Sequence, residues 1–164
     1  MAPQAQIVRA PARPHQTHRL SIFLAGTTSA TGEPDWRDEI CKSLADEPVT
    51  IFNPKRDDWD STWREDFSDE RWANQIQWEL DMQDAADVIV VLFHRATAAP
   101  VSLAEMGMAS RTGKLIACAL DGYYKRGYVE AVCRKFRAPF VSTEDELRRV
   151  VKERMRELGD GKGV

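Results

Sequence analysis

Two carboxylates stand where this chain could use them for chemistry. Glu105 lies in PVSLAEMGMA, just after the apolar run VIVVLF, and Glu79 lies in QIQWELD, just before it. An ionised carboxylate at the carboxyl edge of a parallel strand can attack an electrophilic carbon. A second acid nearby can hold the substrate or move a proton. Ser102 stands three residues before Glu105, and Ser-x-x-Glu ahead of an apolar helix is also a capping box. On that plainer reading Ser102 caps the Glu105 amide and the Glu105 side chain bonds back. Both readings put Glu105 in the first helical turn, where the partial positive charge of the helix end keeps it ionised at neutral pH.

Asp81 shares the QIQWELD segment with Glu79, Gln75 and Gln77. Residues four apart share a helix face, so Gln75 and Glu79 project together and suit sugar hydroxyls. A solvated helix face is the plain alternative. Trp78 stands just before Glu79 and joins the substrate-side candidates. The long segment after FNP carries Arg56, Asp57, Asp58, Trp59 and Trp63, with Asn53 at its start. Rings beside polar groups suit a nucleobase, stacking on its face while the polar groups read its edges. The alternative is a surface lid closed by its own aromatics. The stretch Gly26 to Gly32 is rich in hydroxyls but lacks GxGxxG and GxxxxGK[ST], so no dinucleotide fingerprint or P-loop is present. His94 ends an apolar run and is expected to be partly exposed. Cys118 sits mid-run and reads as core.

The elements that must position these groups alternate in type. Apolar runs predict strands over Leu20 to Gly26, Val49 to Pro54, Asp87 to Phe93, Lys114 to Leu120 and Ala138 to Val141. Helices are expected over Asp35 to Ala45, Glu70 to Ala86, Ser102 to Thr112, within Asp121 to Phe136, and over Thr143 to Leu158. On the second of these, Trp72, Ile76, Leu80 and Gln83 are expected to face inward. Continuous apolar strands alternating with helices specify an α/β fold with a parallel sheet covered on both faces. Class habit gives five strands in the flavodoxin-like order 2-1-3-4-5. The chain divides into a disordered, proline-bearing tail over 1–18, one domain over 19–158, and a loose end over 159–164.

Composition narrows the function classes. A net charge of −3 gives no basic excess for a nucleic-acid polymer. No apolar run approaches the roughly 20 residues of a membrane span, and the amino end lacks the apolar core of a secretory signal. The three cysteines, Cys41, Cys118 and Cys133, have no paired spacing. They read as reduced thiols of a cytoplasmic protein, with neither a metal site nor a cofactor spelled out.

Taken in order, IFLAG, DW, FNPKRDDWD, QIQWELD, ADVIVVLF and PVSLAEMGMA resemble the nucleoside 2-deoxyribosyltransferase-like family, over roughly Leu20 to Phe136. The resemblance implies a flavodoxin-like fold and cleavage of the N-glycosidic bond of a nucleoside or nucleotide. Glu105 would be the nucleophile. Glu79, or else Asp81, would be the acid that holds the deoxyribose and positions it. The segment from Phe23 through Gly26 to Thr27 would line the pocket. The chain would form a homo-oligomer with shared sites, Tyr128 standing near the segment that reaches a neighbour. Three departures go with this. Phe23 replaces a tyrosine that bonds the nucleophile in some members, Tyr128 stands where close relatives carry asparagine, and Ala96 to Val101 lacks the acid that contacts the base.

The chemistry implied is that of a retaining glycosidase: Glu105 attacks C1′ as the base leaves, and a second base or water takes the sugar from the resulting ester. A hydrolase acting on nucleotides needs a phosphate site, for which Ser102, Thr27, Thr28, Ser29 and Arg56 are candidates. Two other classes compete. One is a non-catalytic nucleotide or nucleoside-derivative sensor, which fits the departures at Phe23 and Tyr128. The other is a receiver or scaffold domain, which is weakened because Gly26 to Ser29 holds no acidic cluster.

Overall fold

The computed structural model describes residues 2–161. Six strands form one parallel sheet: β1 (Gln6–Arg9), β2 (Leu20–Gly26), β3 (Val49–Asn53), β4 (Val88–Phe93), β5 (Leu115–Ala119) and β6 (Phe140–Val141). Their order is β1-β3-β2-β4-β5-β6. This corrects the expected five strands in order 2-1-3-4-5. The added member is β1, which pairs with β3 in the register Ile7↔Ile51 and Val8↔Phe52. It comes from the segment expected to be a disordered tail. Val8 is buried while Ile7 on the other face is 48% exposed, the alternation of a half-covered edge. Gln6 ties the returning chain to this edge: its Oε1 accepts from Thr50 Oγ1 at 2.9 Å and from the Thr17 amide at 3.0 Å.

Five helices cover the sheet: α1 (Trp36–Ser43), α2 (Glu70–Ala85), α3 (Pro100–Ser110), α4 (Arg126–Phe136) and α5 (Glu144–Gly161). The pleat sends alternate strand residues to opposite faces. Ile22, Leu24, Val90 and Leu92 pack with Ile40 of α1 and with Leu147 and Val151 of α5. Phe23, Ala25, Val91 and Phe93 pack with Trp78 of α2, Met106 of α3 and Val129 of α4. This is the three-layer arrangement that continuous apolar strands require. The helix α5 carries the chain to Gly161, past the expected loose end at 159, whose remainder lies outside the described residues. All three cysteines are free and buried. Among the described residues no helix is long and apolar enough to cross a membrane.

The helix α2 departs from its expected face. Leu80 is 42% exposed, and the buried positions are Gln75, Trp78 and Gln83. Two of those three are glutamines, because this face looks toward the acids as well as the core. Polar groups buried there need hydrogen-bond partners, and Gln75 Oε1 has none among the described residues.

Candidate active site

The chain leaves β4 through a tight loop and enters α3 at Pro100, with Ala99 left-handed at φ 46° as the N-cap. Proline fits the first helical position, where its missing N–H costs nothing. Ser102 is therefore the third helical residue and makes no cap hydrogen bond. The expected capping box does not form, and Glu105 lies in the second turn, beyond the strongest reach of the helix end.

Glu105 is 7% exposed. Its Oε1 accepts from Nε2 of Gln83 at 3.0 Å. Burial is the main influence on its carboxyl, followed by the like charge of Glu79. Arg37, Gln83 and the backbone amide of Gly26 oppose them, and the balance raises Glu105 to about 7. The expectation of full ionisation at neutral pH is thus corrected: desolvation outweighs the helix end.

Glu79 comes from α2. Gln75 Nε2 donates to Glu79 Oε1 at 2.8 Å and to the Pro54 carbonyl at 2.9 Å, so one amide ties the acid to the start of the aromatic loop. Burial raises the Glu79 carboxyl, against the Gln75 hydrogen bond and the charge of Arg37.

Between the acids and α1 lies the end of β2. Gly26 has φ +113°, and a Cβ there would lie 2.3 Å from the Leu92 carbonyl oxygen, so only glycine fits. The neighbouring Thr27 Oγ1 accepts from the His94 amide at 3.0 Å and meets Thr97 Oγ1 at 2.8 Å, fastening the ends of β2 and β4 together. Behind this turn Arg37 is 1% exposed, its fork filled by backbone carbonyls.

Two clefts open on the surface. One, about 310 Å³, runs beside this turn, lined by Thr27, Thr28, Lys55, His94 and Glu144 among others. The other, about 340 Å³, lies at the opposite, amino end of the strands near Leu115 and Pro139. Neither is lined by Glu105 or Glu79.

A family model described as nucleoside 2-deoxyribosyltransferase like matches residues 19–123. The chain belongs to the nucleoside 2-deoxyribosyltransferase-like family. Among solved structures it is similar to a conserved protein from Enterococcus faecalis V583, with TM-score 0.57 and 16% identity over 82% of this chain and 98% of that one. That likeness concerns the fold alone. No curated protein matches the chain. Membership in the nucleoside 2-deoxyribosyltransferase-like family points to glycosyl transfer with a nucleoside as small-molecule substrate.

Against the family's implied site, the structure brings Glu105, Glu79, Gly26 and Thr27 to one end of the sheet. Other expected residues stand apart. Asp81 bonds Arg13 at 2.7 Å on the surface, which removes it from the alternative acid position. Phe23 is fully buried with its ring centroid 6.1 Å from that of Trp78, and Trp78 Nε1 donates to the Ala12 carbonyl at 2.8 Å. Both are core residues. Asn53 is fully buried, its Oδ1 accepting from the Lys55 amide at 3.1 Å and its Nδ2 without a partner among the described residues.

In the loop itself, Arg56 forms a fork with Asp58 at 2.8 and 2.6 Å and lies 4.8 Å from the centroid of Trp63. Trp63 is buried against Trp59, centroids 4.4 Å apart, while Trp59 is 40% and Phe67 84% exposed. The self-closed lid describes this loop. Ser102 is buried, and Tyr128 is 65% exposed on α4. His94 is 6% exposed, contrary to the expected partial exposure, with Nε2 2.7 Å from Glu33 and Nδ1 accepting from the Ala96 amide.

Sequence reasoning missed Arg37 as a site residue and named Gln83 only as a core-facing position. A glutamine on an otherwise apolar helix stripe was the available signal for Gln83. Arg37, flanked by acids in PDWRDEI, carries no pattern that marks it as buried.

Proposed function

We propose that this protein cleaves the N-glycosidic bond of deoxynucleosides or deoxynucleotides through a covalent ester between the sugar and Glu105. The observation that carries this reading is the pairing of Glu105 and Glu79, a buried acid from α3 and a half-buried one from α2, which influence one another at the carboxyl edge of the sheet. A nucleophilic carboxylate needs a fixed direction, and Gln83 with the Gly26 amide supplies it. Glu79, oriented by Gln75, is placed to hold the sugar and to stabilise positive charge at C1′ as the base departs. Glu105 attacks C1′, the bond to the base nitrogen breaks, and its electron pair leaves with the base. Attack on the ester by a second base nitrogen gives a new nucleoside; attack by water gives free sugar.

The exposed residues Val101 and Met108 on α3 with Tyr124 and Tyr128 on or beside α4 support assembly into a homo-oligomer. Free buried thiols fit a reducing, cytoplasmic setting.

A chromatographic assay with a panel of deoxynucleosides and deoxynucleotides, each with and without a free base, tests the reading. A new nucleoside formed only with acceptor means transfer. Base and sugar released without acceptor mean hydrolysis. Phe23, which offers no hydroxyl to the nucleophile, favours a second reading, binding without turnover. Ligand binding with no product across the panel supports that one.

A further inference from the structure

Although Asp35 accepts from its backbone amide at 2.8 Å, no carboxylate among the described residues bonds the buried guanidinium of Arg37. Its Nε donates to the Leu24 carbonyl at 3.0 Å, Nη1 to Thr27 at 2.8 Å, and Nη2 to Gly26 at 3.0 Å and to Thr28 Oγ1 at 3.1 Å. Every partner is a neutral oxygen. Burying a charge this way is costly unless opposite charges nearby offset it. Buried Glu105 and half-buried Glu79 have the converse need, since two neighbouring carboxylates repel. They lie across the Gly26 peptide from the guanidinium: the carbonyl of Gly26 faces Arg37, and its amide acts on Glu105.

We propose that Arg37 is a positioning residue of this site: it fixes the turn that aims the Gly26 amide at Glu105, and its charge offsets those of buried Glu105 and half-buried Glu79. The inference rests on the reading of Glu105 as nucleophile for its meaning, though not for its measurement. The fork geometry matters because three carbonyls of one turn converge on one planar group, which a lysine cannot match. The charge matters because Arg37 keeps its proton: burial lowers it, Asp35, Glu105 and Glu79 oppose that, and the balance stands at about 10. Among the described residues, the charged groups that act on Glu105 are Glu79 from α2 and Arg37 from α1, with Gln83 and the Gly26 amide as neutral donors.

The test is carbon-13 NMR titration of glutamate carboxyls in wild type, Arg37→Gln and Arg37→Lys, with Glu105→Gln to assign the signal and thermal melts alongside. This needs no substrate, so it stands even if no turnover is found. Arg37→Gln should raise the Glu105 midpoint by about one unit, a tenfold loss of ionised form on the acid side. Arg37→Lys should keep the midpoint within about half a unit while still lowering the melting temperature, because charge survives and the fork does not. A merely structural role predicts melting changes with an unmoved midpoint in Arg37→Gln, and that result overturns the proposal. If Arg37→Gln does not fold in buffer, it is titrated with a stabilising osmolyte such as sucrose beside wild type in the same solution, and the same two outcomes decide: a rise of about a unit supports the proposal and an unmoved midpoint overturns it.

Discussion

Gln83 on α2 donates to Glu105 on α3 at 3.0 Å, so the helix before β4 holds the acid that follows it. The same helix brings Glu79 to act on Glu105. Orientation and repulsion thus come from one element, and that combination governs how the site should respond to change.

Removing the repulsion should make Glu105 more acidic. Glu79 is the second-largest influence raising the Glu105 carboxyl to about 7. In Glu79→Gln the acid limb of kcat/KM should therefore move to lower pH, while kcat falls because the sugar loses a partner. An acid limb that stays in place would show that burial alone sets it.

The raised carboxyl also has a stability consequence. Folding holds the Glu105 proton more tightly than the unfolded chain does, so the stability it contributes is present below the unfolded value and is lost as pH rises through about 7. Glu105→Gln cannot ionise and escapes that loss. Its stability should match wild type near about pH 4 and exceed it by up to about 3 kcal/mol at about pH 8, read from chemical denaturation. A variant no more stable than wild type at the higher pH would contradict the buried, desolvated carboxyl.

Gly26→Ala places a Cβ 2.3 Å from a backbone oxygen at a positive φ. Backbone on both sides cannot yield cheaply, so a loss of roughly 2–4 kcal/mol is expected, seen as a lower denaturation midpoint. Retained stability would mean that the turn is looser than its contacts imply.

Deleting residues up to His18 removes β1, buried Val8 and the carbonyl of Ala12 that takes the Trp78 N–H. Losing one buried aliphatic side chain costs about 2 kcal/mol before the strand pairing is counted. The truncated chain should melt lower, whereas Asp81→Asn, which cuts only the surface pair with Arg13, should leave melting and turnover unchanged. A truncation with no effect would return this segment to the status of a tail.

The four central strands, β2 to β5, were legible because runs such as VIVVLF and LIACA are apolar at every position, which only a sheet covered on both faces tolerates. The strand β1 was not, since QIVR is short, half polar and set among prolines. Ser102 misled because Ser-x-x-Glu spells a box, yet Pro100 two residues earlier is the better helix start. The position of Glu105 beyond a strand was readable; its company was less so. That Gln83 and Arg37 act on it depends on α2, α3 and α1 meeting at one end of the sheet, and that meeting is a tertiary fact. The aromatic loop shows the opposite limit: its rings suggested a ligand platform, and they are spent largely on each other.

The central claim is a covalent bond between sugar and Glu105. Mass spectrometry of acid-quenched protein, after incubation with a substrate that turns over, tests it most directly. The account predicts a deoxyribosyl increment confined to the peptide that contains Glu105, absent from Glu105→Gln, which also forms no product. Product formation by Glu105→Gln at the wild-type rate, or a sugar adduct on another residue, would contradict it.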